Sequence, residues 1–154
     1  MFQGEEGKNN GLKALFENRN IVKIIHDCKN DWDSILHQYK TRIFNFLDTQ
    51  EAFFIFELFY YNEINLPISL SNFIQKFTQV EMEHKAVMKE SMNRDNKIWA
   101  IRPLSENQLK YASDDVKYLI EAFQILKQKM NKNLIEIVTF IKLTFLLGLL
   151  LNYF

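Results

Sequence analysis

The first sixty residues combine short continuous apolar runs with apolar residues at helical spacing. Ile21–Ile25 is a β-branched apolar run and predicts a strand buried on both faces, as in a parallel sheet. Ile43–Leu47 predicts a second short strand. Helical spacing of apolar residues predicts one helix over Leu12–Asn18 and another that opens at Asp31.

Further along the chain, helices predominate. A helix is predicted from Gln50 to about Tyr60, with Asp48 or Thr49 as its cap. Ser69 is placed to cap the next helix, whose apolar positions are Leu70, Phe73, Ile74 and Phe77. The charge-rich segment Glu81–Asn96 predicts a solvated helix or loop, and Pro103 enforces a break.

The segment after Pro103 has a strong helix-start signal. Ser105 and Gln108 have the spacing of a capping box, in which each side chain satisfies a backbone N–H of the other end. A long helix to about Met130 is predicted. Its expected buried stripe is Leu109, Ala112, Val116, Leu119, Ile120, Phe123 and Leu126.

The order of these elements is typical of an α/β fold with few strands. Because two strands alone make a poor sheet, the sequence predicts that further strands of this sheet lie outside the chain. The predicted organisation is a loose N-terminus over 1–10, one domain over 11–130 and an apolar C-terminal helix over 131–154.

Composition narrows the function classes. The 154 residues carry a formal net charge of zero, so a strongly basic nucleic-acid surface is not indicated, and binding of that kind would need a local patch or metal ions. Cys28 is the sole cysteine, which excludes an internal disulfide and makes a cytoplasmic or nuclear location the expectation.

Two places carry candidate chemistry. Asp31 follows an apolar strand, where sites form in open α/β sheets, although an N-cap role is the simpler interpretation of an aspartate there. Tyr111 and Asp115 are four residues apart on the long helix and so share one face, about 100° from the apolar stripe. The simpler interpretation of this pair is a surface tyrosine beside a solvated carboxylate.

Together the two places resemble a known family. The run Arg102–Leu119, with its Arg-Pro-Leu start and Tyr-x-x-x-Asp core, resembles the third motif of the DEDDy-type 3′–5′ exonucleases, which have the RNase D fold. Lys23–Asp31 resembles the second motif, and Phe46–Ala52 resembles the strand-to-helix step after it. The similarity runs from about 11 to 127, and the His-Asp-Cys run resembles the exonuclease domain-containing and Egalitarian-like group most.

This resemblance implies an RNase H-like α/β fold and a role for each motif residue. Asp31 and Asp115 correspond to metal-binding aspartates, and Tyr111 corresponds to the tyrosine that orients the attacking water. The implied cofactors are two Mg²⁺ or Mn²⁺ ions, which prefer oxygen ligands, and the implied substrate is RNA or single-stranded DNA. Asp48 matches a recurring position and is interpreted as a cap.

The sequence departs from the family pattern at its start. The family places a paired Asp and Glu on its first strand, and no Asp-x-Glu precedes Ile21 here. Two carboxylates would leave two divalent ions poorly compensated, so we expect this chain to be inactive or nearly so. Either the chain is part of an active enzyme, or it is a non-catalytic relative that binds RNA or protein partners.

The C-terminal residues raise the question of a membrane. Residues 135–154 are strongly apolar and just reach the length of a membrane span. Lys142 near the middle would cost about 2.5–3.5 kcal/mol in a bilayer and weighs against a span. A helix packed on the domain or on a partner is the alternative.

Overall fold

The computed structural model describes residues 11–63, 67–82, 84–95, 97–134 and 136. They fall into two compact units, Pro67–Lys129 and the remainder of the described chain. The predicted loose N-terminus lies outside the described residues, and so does nearly all of the predicted C-terminal helix. In the part that is described, no helix is long and apolar enough to cross a membrane.

The first unit is built on a two-stranded parallel sheet. Strand β1 (Lys23–Ile25) pairs with β2 (Phe46–Asp48), with Lys23 opposite Phe46 and Ile25 opposite Asp48. Parallel pairing requires a crossover, and helix α2 (Lys29–Tyr39) provides it. Helix α1 (Leu12–Glu17) precedes the sheet and α3 (Thr49–Tyr61) follows it. An α/β fold with a small parallel sheet is therefore confirmed.

Both strands are shorter than predicted. Val22 is 57% exposed, so the run before Lys23 is not buried on both faces as expected. Lys23 itself is buried, and its ammonium group donates to the carbonyls of Asn18 and Ile21 at 2.6 and 2.9 Å. Asn45 adopts a left-handed backbone with φ 51°, which interrupts the extended chain before β2 begins.

The core of this unit lies between α2 and the sheet. Cys28, Trp32, Ile43 and Phe46 are buried together, and partly buried apolar residues of α1, β1 and α2 pack around them. Burial of such side chains contributes about 1.5–3 kcal/mol each for the larger ones. The loop that follows β1 is therefore packed into this core through Cys28.

The second unit is helical. It contains α4 (Leu70–Thr78), α5 (His84–Arg94), a short 3-10 helix (Ile98–Ala100), α6 (Glu106–Lys117) and α7 (Leu119–Lys129). Helix α4 packs against α7, and α5 packs against α6. The buried faces of the first pair are formed by Phe73, Ile74, Phe77, Leu119, Ala122 and Leu126.

The predicted long helix is divided in two at Tyr118, where the backbone has φ −98° and ψ −7°. The predicted stripe is wrong for the first half, because Leu109 and Val116 are 55% and 66% exposed. Ile120 is also exposed, whereas Leu119 and Leu126 are buried as expected. The face of α6 that packs is the one toward α5, and the apolar spacing alone does not identify it.

Candidate functional site

The carboxylate of Asp48 joins the end of β1 to the start of α3. Its Oδ1 atom accepts the backbone N–H groups of Asp27 and Gln50 at 2.9 and 2.8 Å. Its Oδ2 atom accepts the N–H of Cys28 at 2.7 Å. Both oxygens of this buried side chain are thus used by backbone donors, and the prediction that Asp48 is a cap is confirmed.

A second link runs alongside the first. The Thr49 hydroxyl donates to the carbonyl of Ile25 at 3.2 Å and lies 2.8 Å from Nδ1 of His26. Asp27, one residue further, has φ 55°, a left-handed conformation that aspartate tolerates better than most residues. The chain leaving β1 is therefore held at three successive residues before α2 begins.

Asp31 lies in the first turn of α2 and does not cap it. The helix begins at Lys29, and Cys28 is at the cap position without a side-chain cap bond. The Trp32 N–H donates to the Cys28 carbonyl at 2.8 Å, which closes the first helical turn. The N-cap interpretation of Asp31 is wrong, because α2 begins two residues before it and Asp31 lies within the first turn.

Negative charge accumulates around Asp31. Burial is the main cause that raises the pKa of the Asp31 carboxyl above its ordinary value, and the nearby charges of Asp27 and Asp48 raise it further. A carboxylate with acidic neighbours favours a proton or a cation. A cation near the end of β1 would relieve this repulsion.

Cys28 is buried at the base of this loop. Burial, followed by the charge and hydrogen bond of Asp48, raises the pKa of the Cys28 thiol far above its ordinary value. The thiolate form is the reactive one, so this cysteine is a buried core residue and not a nucleophile.

In the second unit, Tyr111 and Asp115 lie on α6 against α5 and the 3-10 helix. The Tyr111 ring packs against Trp99, with 5.9 Å between ring centroids, and the Lys85 ammonium lies 5.7 Å from the Tyr111 ring centre. Burial, and then the charge of Asp115, raises the pKa of the Tyr111 hydroxyl. Tyr111 is therefore a neutral phenol at physiological pH, able to donate a hydrogen bond.

Asp115 is paired with a lysine from the neighbouring helix. Nζ of Lys85 lies 2.8 Å from Oδ1 of Asp115, and the two side chains are only 20% and 28% exposed. Apart from this ion pair, no hydrogen bond to the buried Oδ1 atom is found among the described residues. The Lys85 ammonium therefore compensates the charge of the Asp115 carboxylate.

The Asp114 side chain lines a surface cleft that does not include Tyr111 or Asp115. The cleft has two basic and two acidic side chains, and its lining residues are Val80, Glu81, Met82, Lys110, Asp114, Lys117 and Tyr118. Its charges balance, so the cleft does not favour a phosphate group.

Single carboxylates among the described residues are the kind of ligand that a hard cation prefers. Asp115 offers a carboxylate that is paired with Lys85, and Asp31 has the acidic neighbours Asp27 and Asp48. Among the described residues, no group of three or more His, Cys, Asp or Glu side chains is close enough to hold a metal ion. The donor chemistry suits Mg²⁺ or Mn²⁺, and a full ligand set is not present in these ranges.

The structure brings Tyr111 and Asp115 together on α6, as the four-residue spacing predicted. It stays a prediction that Asp31 acts together with Tyr111 and Asp115. Lys85 and Trp99 are the residues that sequence reasoning missed as neighbours of the pair. Lys85 lies in a charge-rich segment, and no motif there distinguishes it from Lys89.

Comparison with known proteins decides the family. Residues 4–131 match the family model of the 3′–5′ exonuclease domain. The chain belongs to the 3′–5′ exonuclease family. The resemblance found in the motifs, to RNase D-like exonucleases, is thereby confirmed.

The relatives of this exonuclease chain include eukaryotic and bacterial proteins. It is 30% identical over 141 residues to the human piRNA biogenesis protein EXD1, an alignment that covers 88% of the chain and 27% of EXD1. It is 33% identical over 125 residues to ribonuclease D of Bartonella henselae, covering 79% of the chain and 27% of that enzyme. The exonuclease chain thus spans about a quarter of the length of these relatives.

Solved structures confirm the fold. RNase D of Trypanosoma brucei in complex with GMP superposes with a TM-score of 0.69 at 22% identity, covering 80% of the exonuclease chain and 37% of that protein. The same RNase D in complex with RNA U12 gives a TM-score of 0.68 at 21% identity, covering 82% and 41%. The chain therefore has the RNase H-like fold of RNase D exonuclease domains.

Proposed function

We propose that the chain carries part of a metal-dependent 3′–5′ exonuclease site that acts on RNA or single-stranded DNA. Asp31 and Asp115 are its metal-binding carboxylates, and Tyr111 positions the attacking water. The observation that carries the proposal is the Tyr111–Asp115 pair on α6, held by Lys85 and Trp99 within a chain of this family. The RNA-bound RNase D relative supports RNA as the substrate class.

The residues suit these roles chemically. Divalent ions in such a site activate a water and stabilise the leaving oxygen, and carboxylate oxygens are the ligands they prefer. Tyr111 has a raised pKa and so keeps its proton, which lets its hydroxyl orient a water by hydrogen bonding. Asp48 takes no part in metal binding, because backbone donors use both of its oxygens.

The 154 residues contain no Asp-x-Glu, so on their own they supply two of the four carboxylates that the family pattern requires. We expect this chain alone to hydrolyse nucleic acid very slowly or not at all. Where the coding sequence before Met1 encodes a strand with Asp-x-Glu, the longer product is expected to trim a 3′ end.

The test uses a 5′-labelled oligoribonucleotide and its DNA counterpart, with Mn²⁺ or with EDTA. The 154-residue chain is expected to give no trimming above the EDTA background. The longer product is expected to trim from the 3′ end and to lose that activity with Asp115→Asn. Asp114→Asn is the matched control, since Asp114 is adjacent in sequence and faces another cleft.

Two results would count against the proposal. Trimming by the 154-residue chain that disappears with Asp115→Asn would contradict the expected inactivity. Trimming by a longer Asp-x-Glu-containing product that survives Asp115→Asn would remove Asp115 from the site.

A second candidate is a nucleic-acid-binding module that does not hydrolyse. The Lys85–Asp115 ion pair favours it, because the pair neutralises Asp115 without a metal ion. Under this alternative, the chain binds the oligoribonucleotide equally well in Mn²⁺ and in EDTA, and Asp115→Asn leaves that binding unchanged.

A further inference from the structure

Lys85 is attached to the candidate site by two contacts from a separate helix. Its ammonium lies 2.8 Å from Oδ1 of Asp115 and 5.7 Å from the Tyr111 ring centre, an arrangement in which one cation faces both side chains. A cation over an aromatic face is attracted by the ring. Lys85 therefore holds the two α6 side chains in a fixed relation to α5.

This ion pair differs from an ordinary surface pair. Arg94 and Glu90, on the same α5 helix, form an i,i+4 pair whose side chains are 75% and 65% exposed. The Lys85 and Asp115 side chains are 20% and 28% exposed and connect two helices. Exposed pairs contribute little because water screens them, whereas a partly buried pair is screened less.

Lys85 contacts the buried Oδ1 atom of Asp115, to which no other group among the described residues donates a hydrogen bond. A divalent cation bound through this oxygen and an ammonium group about 3 Å from it would repel each other strongly in a partly buried setting. The two cations therefore compete for Asp115.

We propose that Lys85 is a positioning residue that pairs with Asp115 and that a divalent ion bound to Asp115 must displace. The inference rests on the proposed function, because it takes Asp115 as a metal ligand. Lys85 thereby keeps the carboxylate and the Tyr111 ring in place before metal binding, and it weakens the binding of the first ion.

The experiment measures Mn²⁺ binding to the full chain by electron paramagnetic resonance of free Mn²⁺. Lys85→Met is expected to bind Mn²⁺ more tightly than the unmodified chain, by a factor on the order of ten. Lys85→Gln, which keeps a polar side chain, is expected to change affinity in the same direction. Lys89→Met, an exposed position on the same helix, is the control and should leave affinity unchanged.

A double-mutant cycle of Lys85→Met and Asp115→Asn, followed by urea unfolding, adds a readout that does not depend on activity. In EDTA, the cycle should show coupling between the two residues. Mn²⁺ should abolish that coupling, because the metal takes the place of the ammonium. A purely structural lysine would keep its coupling in Mn²⁺, and its removal would not tighten metal binding.

The outcomes separate the two proposals. Unchanged or weaker Mn²⁺ binding by both Lys85 variants, with binding that still depends on Asp115, would overturn the role of Lys85 and leave the metal site standing. Absence of any Asp115-dependent Mn²⁺ binding, with the coupling intact in EDTA, would overturn both.

Discussion

At the scale of single residues, Asp48 has the clearest structural role in the loop that leads to Asp31. Three backbone N–H groups donate to its carboxylate. Two of them belong to Asp27 and Cys28, which follow β1, and the third belongs to Gln50 in α3. Charge-assisted hydrogen bonds of this kind are about twice as strong as neutral ones. Asp48 therefore fixes where α2 begins, and with it the position of Asp31.

Replacing Asp48 with alanine should destabilise the chain by about 2–3 kcal/mol, because a helix cap is lost and the N–H groups of Asp27 and of the buried Cys28 are left without this acceptor. Urea unfolding measures this loss. Asp33→Ala, at an exposed position whose side chain is near His37, should change stability by no more than about 0.5 kcal/mol. Equal effects of the two substitutions would show that the hydrogen bonds accepted by Asp48 do not stabilise the folded chain.

Cys28, in the same loop, should make the stability of the folded chain depend on pH. The folded state raises the pKa of its thiol, whereas in the unfolded chain the thiol ionises near 9.0. The folded state thus retains a proton that the unfolded state releases, so this group's contribution to stability is complete below pH 9 and decreases as pH rises above it.

We expect Cys28 in the native chain to react with iodoacetamide at least 100-fold more slowly than in urea at pH 8.5, since burial disfavours the reactive thiolate. The rate of carboxamidomethylation, followed by mass spectrometry, measures this difference. Rapid labelling of the folded protein would mean that Cys28 is accessible to solvent. It would contradict the hydrogen bonds by which Asp48 holds the loop after β1 in place.

At the scale of elements, local signals were predictable and long-range ones were not. The caps at Ser69, Asp48 and Ser105 follow from short motifs in which donor and acceptor are two or three residues apart, and all three are confirmed. The start of α2 depends on a bond from Asp48 that spans twenty residues, and no local pattern reveals it.

The start of α6 shows how a local motif is joined to its surroundings. Oε1 of Gln108 accepts the Ser105 N–H at 2.7 Å, and Nε2 of Gln108 donates to the Ile98 carbonyl at 2.9 Å. The buried Gln108 side chain thus links the capping box to the 3-10 helix before it. The motif predicted the first of these bonds and not the second.

Gln108→Ala should consequently destabilise the chain more than Ser105→Ala. The serine substitution removes one cap bond and should cost about 1 kcal/mol. The glutamine substitution leaves the Ser105 N–H unpaired, removes the side-chain bond to the Ile98 carbonyl and opens a small cavity, at a cost of about 2–3 kcal/mol. Thermal unfolding of both variants gives the order, and a larger effect of Ser105→Ala would contradict this account.

At the scale of the whole molecule, the sequence motifs were sufficient to identify the family, because an exonuclease site draws on segments far apart in the chain whose order is diagnostic. The motifs could not identify Lys85, since its contact with Asp115 depends on how α5 packs on α6. The exposed apolar residues of α6 were missed for the same reason, because helical spacing shows a face without showing what covers it.

The central proposal is that Asp31 and Asp115 are both metal ligands. Mn²⁺ affinity of the full chain with Asp31→Asn, Asp115→Asn and both together tests it most directly, with Asp114→Asn as the control. The account predicts weak binding in the unmodified chain, a loss of about tenfold or more in each single variant, and little further loss in the double variant. Binding that persists unchanged in either single variant, or that falls equally with Asp114→Asn, would contradict the claim.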